Sequence, residues 1–314
     1  MPTRVNVDNF AAAETHRMMR DLQLDAGGVN RFLHNRTPAA VDKQTVIRLN
    51  RDTLYSFAVV DLQGGASFTI PEHGERYQSA MIVNEGHYVP EILHDPGRYE
   101  LTADRFGSRY VVLAVRTLVD PSDPADVAAV AAIQDGLALT AASAEPFEMP
   151  DYEEQSFDET RSSLLALARN LSSFDRTFGS PEEVGEVRHL IGTAAGWGGL
   201  PTSEAVYVGV DPRLPVGRYE LTVGEVPVDG FWSVSVYNRD GYFEPNDRDA
   251  YTVNNITGTR NDDGTLTIRF GDWPVGTPNA VPVTEGWNYL VRLYRPRAEV
   301  LDGTWTFPAL PAGA

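Results

Sequence analysis

Two long stretches of this chain, 46–119 and 205–307, consist of short runs of β-branched and aromatic residues broken by glycine and proline. That pattern constrains the fold more than any other feature, because such runs form short strands joined by tight turns. The first stretch holds the runs 46–49, 53–60, 66–70, 77–83, 98–101 and 110–119, with turn markers at Gly64-Gly65, His73-Gly74, Pro96-Gly97 and Gly107. The second carries Asp263-Gly264, a hairpin signal. The hexapeptide Gly-Arg-Tyr-Glu-Leu-Thr occurs at 97–102 and again at 217–222, which hints at two related β sandwiches.

Helical spacing of apolar residues occurs elsewhere. Within 8–33 it predicts a helix with Asp8 as cap, a break at Gly27-Gly28 and a second short helix. Between 124 and 195 three helices are signalled: an alanine-rich one beginning at Asp123-Pro124 and running through 127–142, one opened by Ser156-x-x-Glu159, and one opened by Ser180-Pro181-Glu182-Glu183 that ends at Gly196-Trp197-Gly198-Gly199. The expected fold is mainly β with helices, an α+β chain of two β-sandwich or jelly-roll-like domains joined by a helical segment. The expected divisions are an N-terminal helical segment 1–45, a first β domain 46–122, a helical connector 123–200 and a second β domain 201–314. A length of 314 residues suits two such domains.

Composition narrows the function. With 26 Lys+Arg against 44 Asp+Glu the net charge is -18, so the surface repels polyanions and nucleic acid is not the expected partner. With no cysteine, disulfides, thiolate nucleophiles and Cys-bound metals are excluded. The start of the chain reads as neither a secretory signal nor a spanning helix, so no membrane partner is expected and the expected compartment is the cytoplasm. There is no G-x-S-x-G, H-E-x-x-H, Walker A or strand-linked G-x-G-x-x-G motif. Glu85, His87, Glu91 and His94 are the one histidine and carboxylate cluster, but strand alternation puts His94 on the opposite face, so neither a metal nor another cofactor is expected.

Two patches concentrate chemically capable side chains. In 231–237, Trp232, Val234 and Val236 share one face of a strand, and Phe231, Ser233, Ser235 and Tyr237 share the other. The strand runs into a loop holding Asn238, Arg239, Tyr242, Phe243, Glu244 and Asn246. The second patch is Arg48, Asn50, Arg51, Asp52, Thr53 and Tyr55. An Arg beside an Asp can depress the acid's pKa or orient a substrate carboxylate, and a nearby Tyr can hold a developing oxyanion. A structural ion pair at a strand corner has the same sequence, so the residues alone leave both roles open.

These patches carry a family resemblance. Asn50-Arg51-Asp52-Thr53-Leu54-Tyr55-Ser56, Arg76-Tyr77, Arg109-Tyr110 and Val115-Arg116-Thr117 resemble the bacterial domain of unknown function 1254. The run 229–238, then Asp263-Gly264, Arg292-Leu293-Tyr294-Arg295-Pro296 and Leu301-Asp302-Gly303-Thr304-Trp305 are similar to its usual companion, the domain of unknown function 1214. The likeness runs from about residue 25 to 310. It departs at Asn279-Ala280-Val281-Pro282, where the family commonly has a larger residue after the Asn. The resemblance implies two β domains joined by helices and no established reaction.

The leading expectation is a metal-independent hydrolase or lyase acting on a small organic substrate between the two β domains. Asp52 is its general base, and Tyr55 and His87 are proton donors or oxyanion partners. Arg51 anchors the substrate, and Asn50, Trp197, Tyr237, Asn238 and Tyr242 complete the binding surface. Two other readings stay open: a non-catalytic protein that binds a small ligand or carbohydrate, and a chain serving in assembly, such as a homo-oligomer, in which these residues only hold the fold.

Overall fold

The computed structural model describes residues 1–44, 47–169, 171 and 173–310. In chain order its elements are α1 (Phe10–Ala26), β1 (Leu33–His34), β2 (Thr53–Asp61), β3 (Ala66–Ile70), β4 (Gln78–Asn84), β5 (Glu91–Leu93), β6 (Gly97–Leu101), α2 (Ala103–Phe106), β7 (Tyr110–Leu118), α3 (Pro124–Asp135), β8 (Ala138–Ala141), α4 (Glu154–Ala168), α5 (Glu186–Gly196), β9 (Ala205–Val210), β10 (Tyr219–Val223), β11 (Trp232–Tyr237), β12 (Thr252–Asn254), β13 (Leu266–Phe270), β14 (Ala280–Val281), β15 (Asn288–Tyr294) and α6 (Ala298–Leu301). With 22% helix and 27% strand in several antiparallel sheets, the chain is α+β, as its sequence indicates. Two compact units interleave along it. One is Met1–Arg36, Leu54–Leu118 and Val127–Thr202, and the other is Thr37–Thr53, Val119–Asp126 and Ser203–Ala314.

In the first unit a five-stranded sheet, β1-β2-β7-β4-β5, and a three-stranded sheet, β6-β3-β8, share one core. Ala58 and Val60 of β2, Ile82 of β4 and Val111, Leu113 and Val115 of β7 meet Phe68 and Ile70 of β3 there. The run Tyr110–Leu118 is buried at every position, because the other side chains of this central strand are covered as well. A helical layer has its own core, in which Phe10 and Ala13 of α1, Phe157 and Leu164 of α4 and Ile191 and Ala194 of α5 pack together.

The second unit repeats the plan. A four-stranded sheet, β12-β11-β15-β9, and a three-stranded sheet, β10-β13-β14, enclose Leu221, Trp232, Val234, Ile268, Phe270, Trp287 and Val291. The repeated hexapeptide performs the same task in both units. It forms the edge strand of each three-stranded sheet, β6 or β10. Its leucine enters the core, and its tyrosine hydroxyl donates to a carbonyl four residues back, Tyr99 to Asp95 at 2.7 Å and Tyr219 to Pro215 at 3.0 Å.

Several local expectations are corrected. Residues 29–32 form no second helix. Gly27, at a φ of 74°, ends α1 by donating to Leu24, Gly28 donates to Gln23, and the chain then enters β1. The cap position of α1 is Asn9 rather than Asp8, and no side chain caps it. Of the strand expected at 46–49, Val46 lies outside the described residues, and Ile47 and Arg48 form a turn. The alanine-rich helix starts at Pro124 as expected but stops at Asp135. A Cβ on Gly136 would lie 2.7 Å from Pro71, and Ala138–Ala141 pairs with β3.

Neither capping box opens its helix. Ser156 lies inside α4, where its hydroxyl accepts from the Val5 N–H and donates to the Glu153 carbonyl. Glu183 accepts from the Ser180 N–H in a turn, and α5 begins only at Glu186. Asp263-Gly264 makes a tight turn into β13, whose partners are β10 and β14, so it joins no two paired strands.

Candidate functional site

The first unit contains a cleft of about 460 Å³ whose walls include His16, Glu85, Arg109, Tyr110, Glu145 and Glu148. His16 comes from the middle of α1, on a turn that also buries Glu14 and Thr15. Glu85 follows β4, and Arg109-Tyr110 opens β7. The His16 ring is fixed at both nitrogens, with Nε2 3.2 Å from Glu85 Oε2 and Nδ1 2.9 Å from the Tyr152 hydroxyl. It also packs against the Phe147 ring, with centroids 5.2 Å apart.

Burial alone would raise the Glu85 carboxyl, but bonds from His16 and from the backbone N–H of Tyr110 outweigh it and hold the group below its ordinary value. Burial and the neighbouring Glu85 charge raise the Tyr152 phenol. The proton positions follow. A carboxylate only accepts, so His16 Nε2–H donates to Glu85, and in the neutral ring the Tyr152 hydroxyl donates to Nδ1. Arg109 is tied to Asp61, its Nε 3.0 Å from Oδ1 and its Nη2 3.2 Å from Oδ2. The Tyr110 hydroxyl donates to the carbonyls of Glu145 and Pro146.

The residues singled out from sequence fall in both units. In the first, His87 is 1% exposed, with a φ of 65°. Gly198 N–H donates to its Nε2 at 3.0 Å, so the ring proton is on Nδ1, which donates to Thr193 Oγ1 at 2.7 Å, and Thr193 in turn donates to the His189 carbonyl. Burial and the adjacent His189 lower its pKa to about 3. The ring is therefore neutral, with both nitrogens engaged, and nothing in this arrangement leaves it a proton to donate to a substrate. Trp197 stacks on it with centroids 5.5 Å apart and donates to Thr15 at 3.1 Å.

The Gly-Trp-Gly-Gly run has a steric reason here. Gly198 sits at a φ of 75°, and a Cβ on Gly199 would lie 2.3 Å from the Phe178 ring. Tyr55 on β2 lies under the Arg116 guanidinium, 5.4 Å from it. The four residues of the suspected metal cluster disperse: Glu85 bonds His16, His87 bonds Thr193, Glu91 pairs with Arg105, and His94 bonds the Gln78 carbonyl. No group of three His, Asp or Glu suited to a metal occurs among the described residues.

In the second unit, the alternation read for 231–237 is observed, and the face carrying Ser233, Ser235 and Tyr237 is buried. Arg292 on β15 organises it, donating through Nη1 to Ser235 Oγ at 2.8 Å and through Nη2 to the Tyr237 hydroxyl at 2.8 Å and the Arg48 carbonyl at 2.7 Å. Tyr237 donates to the Leu49 carbonyl. Asp52, 1% exposed, accepts a 3.4 Å bond from Asn254 on Oδ1, while Oδ2 accepts none. Burial raises its pKa, against the Arg292 charge and the nearness of Ser233 and Asn254.

The other predicted binding residues hold local structure. Asn50 accepts from the Asp52 N–H, and Arg51 donates to the Ala39 carbonyl under the Tyr251 ring. Asn238 bonds Glu244 and accepts from the Tyr242 N–H. Sequence reasoning did not single out His16 and Arg109, which line the cleft, or Arg292, which organises the buried face of β11. The usable signals were a run of polar residues on the buried side of α1, and the presence of Arg109-Tyr110 and Arg292 in the family motifs.

Comparison with known proteins agrees with the resemblance. Residues 29–87 match the family model for proteins of unknown function DUF1254, and residues 214–298 match that for DUF1214, in that order. These spans are narrower than the likeness read from residue 25 to 310. The fold is that of the VPA0106 protein of Vibrio parahaemolyticus, with a TM-score of 0.73 at 15% identity over 97% of this chain and 96% of that one. An uncharacterised protein from Burkholderia cenocepacia aligns over 91% of this chain and 84% of its own at 14% identity, with a TM-score of 0.49. No curated protein matches the chain. No helix among the described residues is long and apolar enough to cross a membrane.

Proposed function

We propose that the chain is a metal-independent hydrolase or lyase that moves a proton on a small organic substrate, and that the cleft of the first unit holds that substrate. The observation that carries this reading is the His16 ring, fixed between Tyr152 and Glu85 at the cleft wall. Histidine is the side chain that most often carries acid–base work, and Glu85 fixes the ring by accepting from Nε2. The proton enters at Nδ1 through Tyr152, whose hydroxyl gives its own proton to the ring and takes one from the substrate. In hydrolysis the proton comes from an attacking water, and in elimination from the carbon beside a carbonyl.

The test is a panel of activated aryl esters and β-substituted carbonyl compounds, run on the wild type, His16→Gln and Asp52→Asn. Turnover is expected to fall by about 100-fold or more in His16→Gln, the usual contribution of a positioned acid–base group. Equal turnover in His16→Gln and wild type overturns the assignment. A second reading gives the proton transfer to Asp52, expected from sequence as the general base and here as the acid, on the strength of its buried carboxyl with an oxygen that accepts no hydrogen bond. It predicts loss of turnover in Asp52→Asn with His16→Gln unaffected.

A further inference from the structure

The face of the five-stranded sheet turned away from the sandwich core carries polar groups that the cleft does not use. Ala58, Ala80, Ile82 and Val115 enter that core, so strand alternation sends Tyr55 and Phe57 of β2, Ser79 and Met81 of β4 and Arg116 of β7 to the other face. Ser79 stands directly opposite Arg116 in the antiparallel β4–β7 pair, which brings their Cβ atoms to about 5 Å, and the Arg116 guanidinium lies over the Tyr55 ring. The Ser79 hydroxyl is wholly buried and has no hydrogen-bond partner. An unmatched buried hydroxyl costs stability, and an acceptor brought by a ligand removes that cost. The row lies at the far end of β7 from Tyr110 and the cleft, about 20 Å along the strand.

Over this row runs the strap 196–199 that follows α5. Its Gly198 peptide is clamped on both sides: the N–H donates to His87 Nε2 at 3.0 Å, and the carbonyl accepts from Arg116 Nη2 at 2.6 Å. A Cβ on Gly198 would lie 3.8 Å from the Met81 methyl, so the strap covers the same face. The Gly198 carbonyl is thus a neutral acceptor held against a guanidinium only 8% exposed. A carboxylate is the stronger partner, because it meets the buried charge and bonds that are charge-assisted on both sides are the strong ones. Tyr55 and Phe57, both half-buried, stack with centroids 5.7 Å apart and planes 8° apart, and offer a flat apolar wall beside the row.

We infer that this row is a second ligand site, closed by the strap, for a small flat carboxylic acid. One carboxylate oxygen takes the place of the Gly198 carbonyl on Arg116, the other accepts from the Ser79 hydroxyl, and the body of the ligand lies against Tyr55 and Phe57. Gly198 and Trp197 move as the strap leaves Arg116. In a chain of net charge -18 an anion needs a local arginine to meet it, and Arg116 supplies one. The site shares no residue with the cleft and does not depend on the proton transfer assigned there.

The experiment titrates benzoate and benzamide, alike in shape and different in charge, into the full-length protein at neutral pH. Binding is followed through the backbone amide resonance of Gly198, the indole N–H of Trp197 and the ring resonances of His16. Benzoate is expected to shift Gly198 and Trp197 and leave His16 unmoved, and benzamide to bind at least tenfold more weakly, for want of a charge-assisted bond. Ser79→Ala removes only the unmatched hydroxyl. It is expected to unfold at the same urea concentration as the wild type or a higher one, and to bind benzoate about tenfold more weakly. Equal binding of the two probes, or equal binding of benzoate by wild type and Ser79→Ala, overturns the assignment. So does a variant less stable than the wild type, because the hydroxyl then serves the fold. A benzoate shift at His16 with Gly198 unmoved puts the anion at Arg109 in the cleft instead, and no shift at Gly198 with either probe leaves the strap a fixed part of the fold; both end the proposal, and neither bears on the turnover test of His16→Gln.

Discussion

Between pH 6.5 and 3 the protein is expected to lose about 4 to 5 kcal/mol of stability through His87 alone. The folded ring holds its pKa at about 3 against an ordinary 6.5, because burial and His189 oppose its charge. The unfolded chain therefore takes up the proton first. Stability from this group is complete above pH 6.5, falls by about 1.4 kcal/mol per unit below it, and levels out near pH 3. His189, also lowered by burial, acts in the same direction.

His87→Asn isolates the effect. Asparagine tolerates the left-handed backbone at φ 65°, but it removes the ring from beneath Trp197 and takes the acceptor from the Gly198 N–H. A cost of about 3 kcal/mol at pH 7 is expected from the lost packing and the unpaired donor. Since the variant has no imidazole to protonate, the gap closes as the pH falls and vanishes near pH 4. Urea denaturation of both proteins at pH 7, 6, 5 and 4.5 gives the comparison. Parallel stability profiles would mean that His87 titrates like an exposed histidine, and its role as a buried staple would be lost.

The contrast between His87 and His16 explains what the sequence could and could not convey. Strands are legible because their burial follows the local pattern: the run 110–115 is apolar on both faces, and 232, 234 and 236 alternate with 233, 235 and 237. Helix ends were less so, because tertiary contacts decided them. Ser156 holds the N-terminal segment instead of capping a helix, and Ala138–Ala141 follows the open edge of β3 against its helical composition. Thr37–Thr53 belongs to the second unit although β2 of the first unit follows it directly in the chain, and no local pattern encodes that.

The site was harder still. His16 meets Glu85 across 69 positions, and Arg109 meets Asp61 across 48, distances at which spacing carries no chemical signal. Glu85 and His87 drew attention together as a metal cluster, yet the turn after β4 sends one into the cleft and the other under α5. Arg51 and Asn50 looked like chemistry because loop-fastening residues and catalytic residues are drawn from the same polar types. In the structure Arg51 bonds the carbonyl of Ala39 and Asn50 the N–H of Asp52, contacts that residue type alone does not reveal.

Replacing Asp61 by Asn is expected to remove about 2 kcal/mol at pH 7, because it leaves the donors of a buried carboxylate facing an amide, while the exposure of Arg109 to solvent lessens the ion pair's own share. Asp61 has no solvent exposure. Its two oxygens accept from Arg109, from the Gln63 N–H at 3.1 Å and from the Glu145 N–H at 3.1 Å. Burial pushes its carboxyl up, but the bonds from Arg109, Ser143 and these amides outweigh it and bring it down to about 2 from an ordinary 3.8. The sign is opposite in origin to that of His87, though the direction with pH is the same. A lowered carboxyl contributes stability above its ordinary value, and here that contribution of about 2 kcal/mol is lost as the pH falls toward 2. The difference between wild type and Asp61→Asn therefore persists at pH 5, where the loss through His87 is already under way, and shrinks only below about pH 4. The same carboxylate fastens Arg109 and the backbone of Glu145, two residues of the cleft wall. A stability change below about 1 kcal/mol that ignores pH would mean that the Asp61–Arg109 pair is not what holds this wall of the cleft.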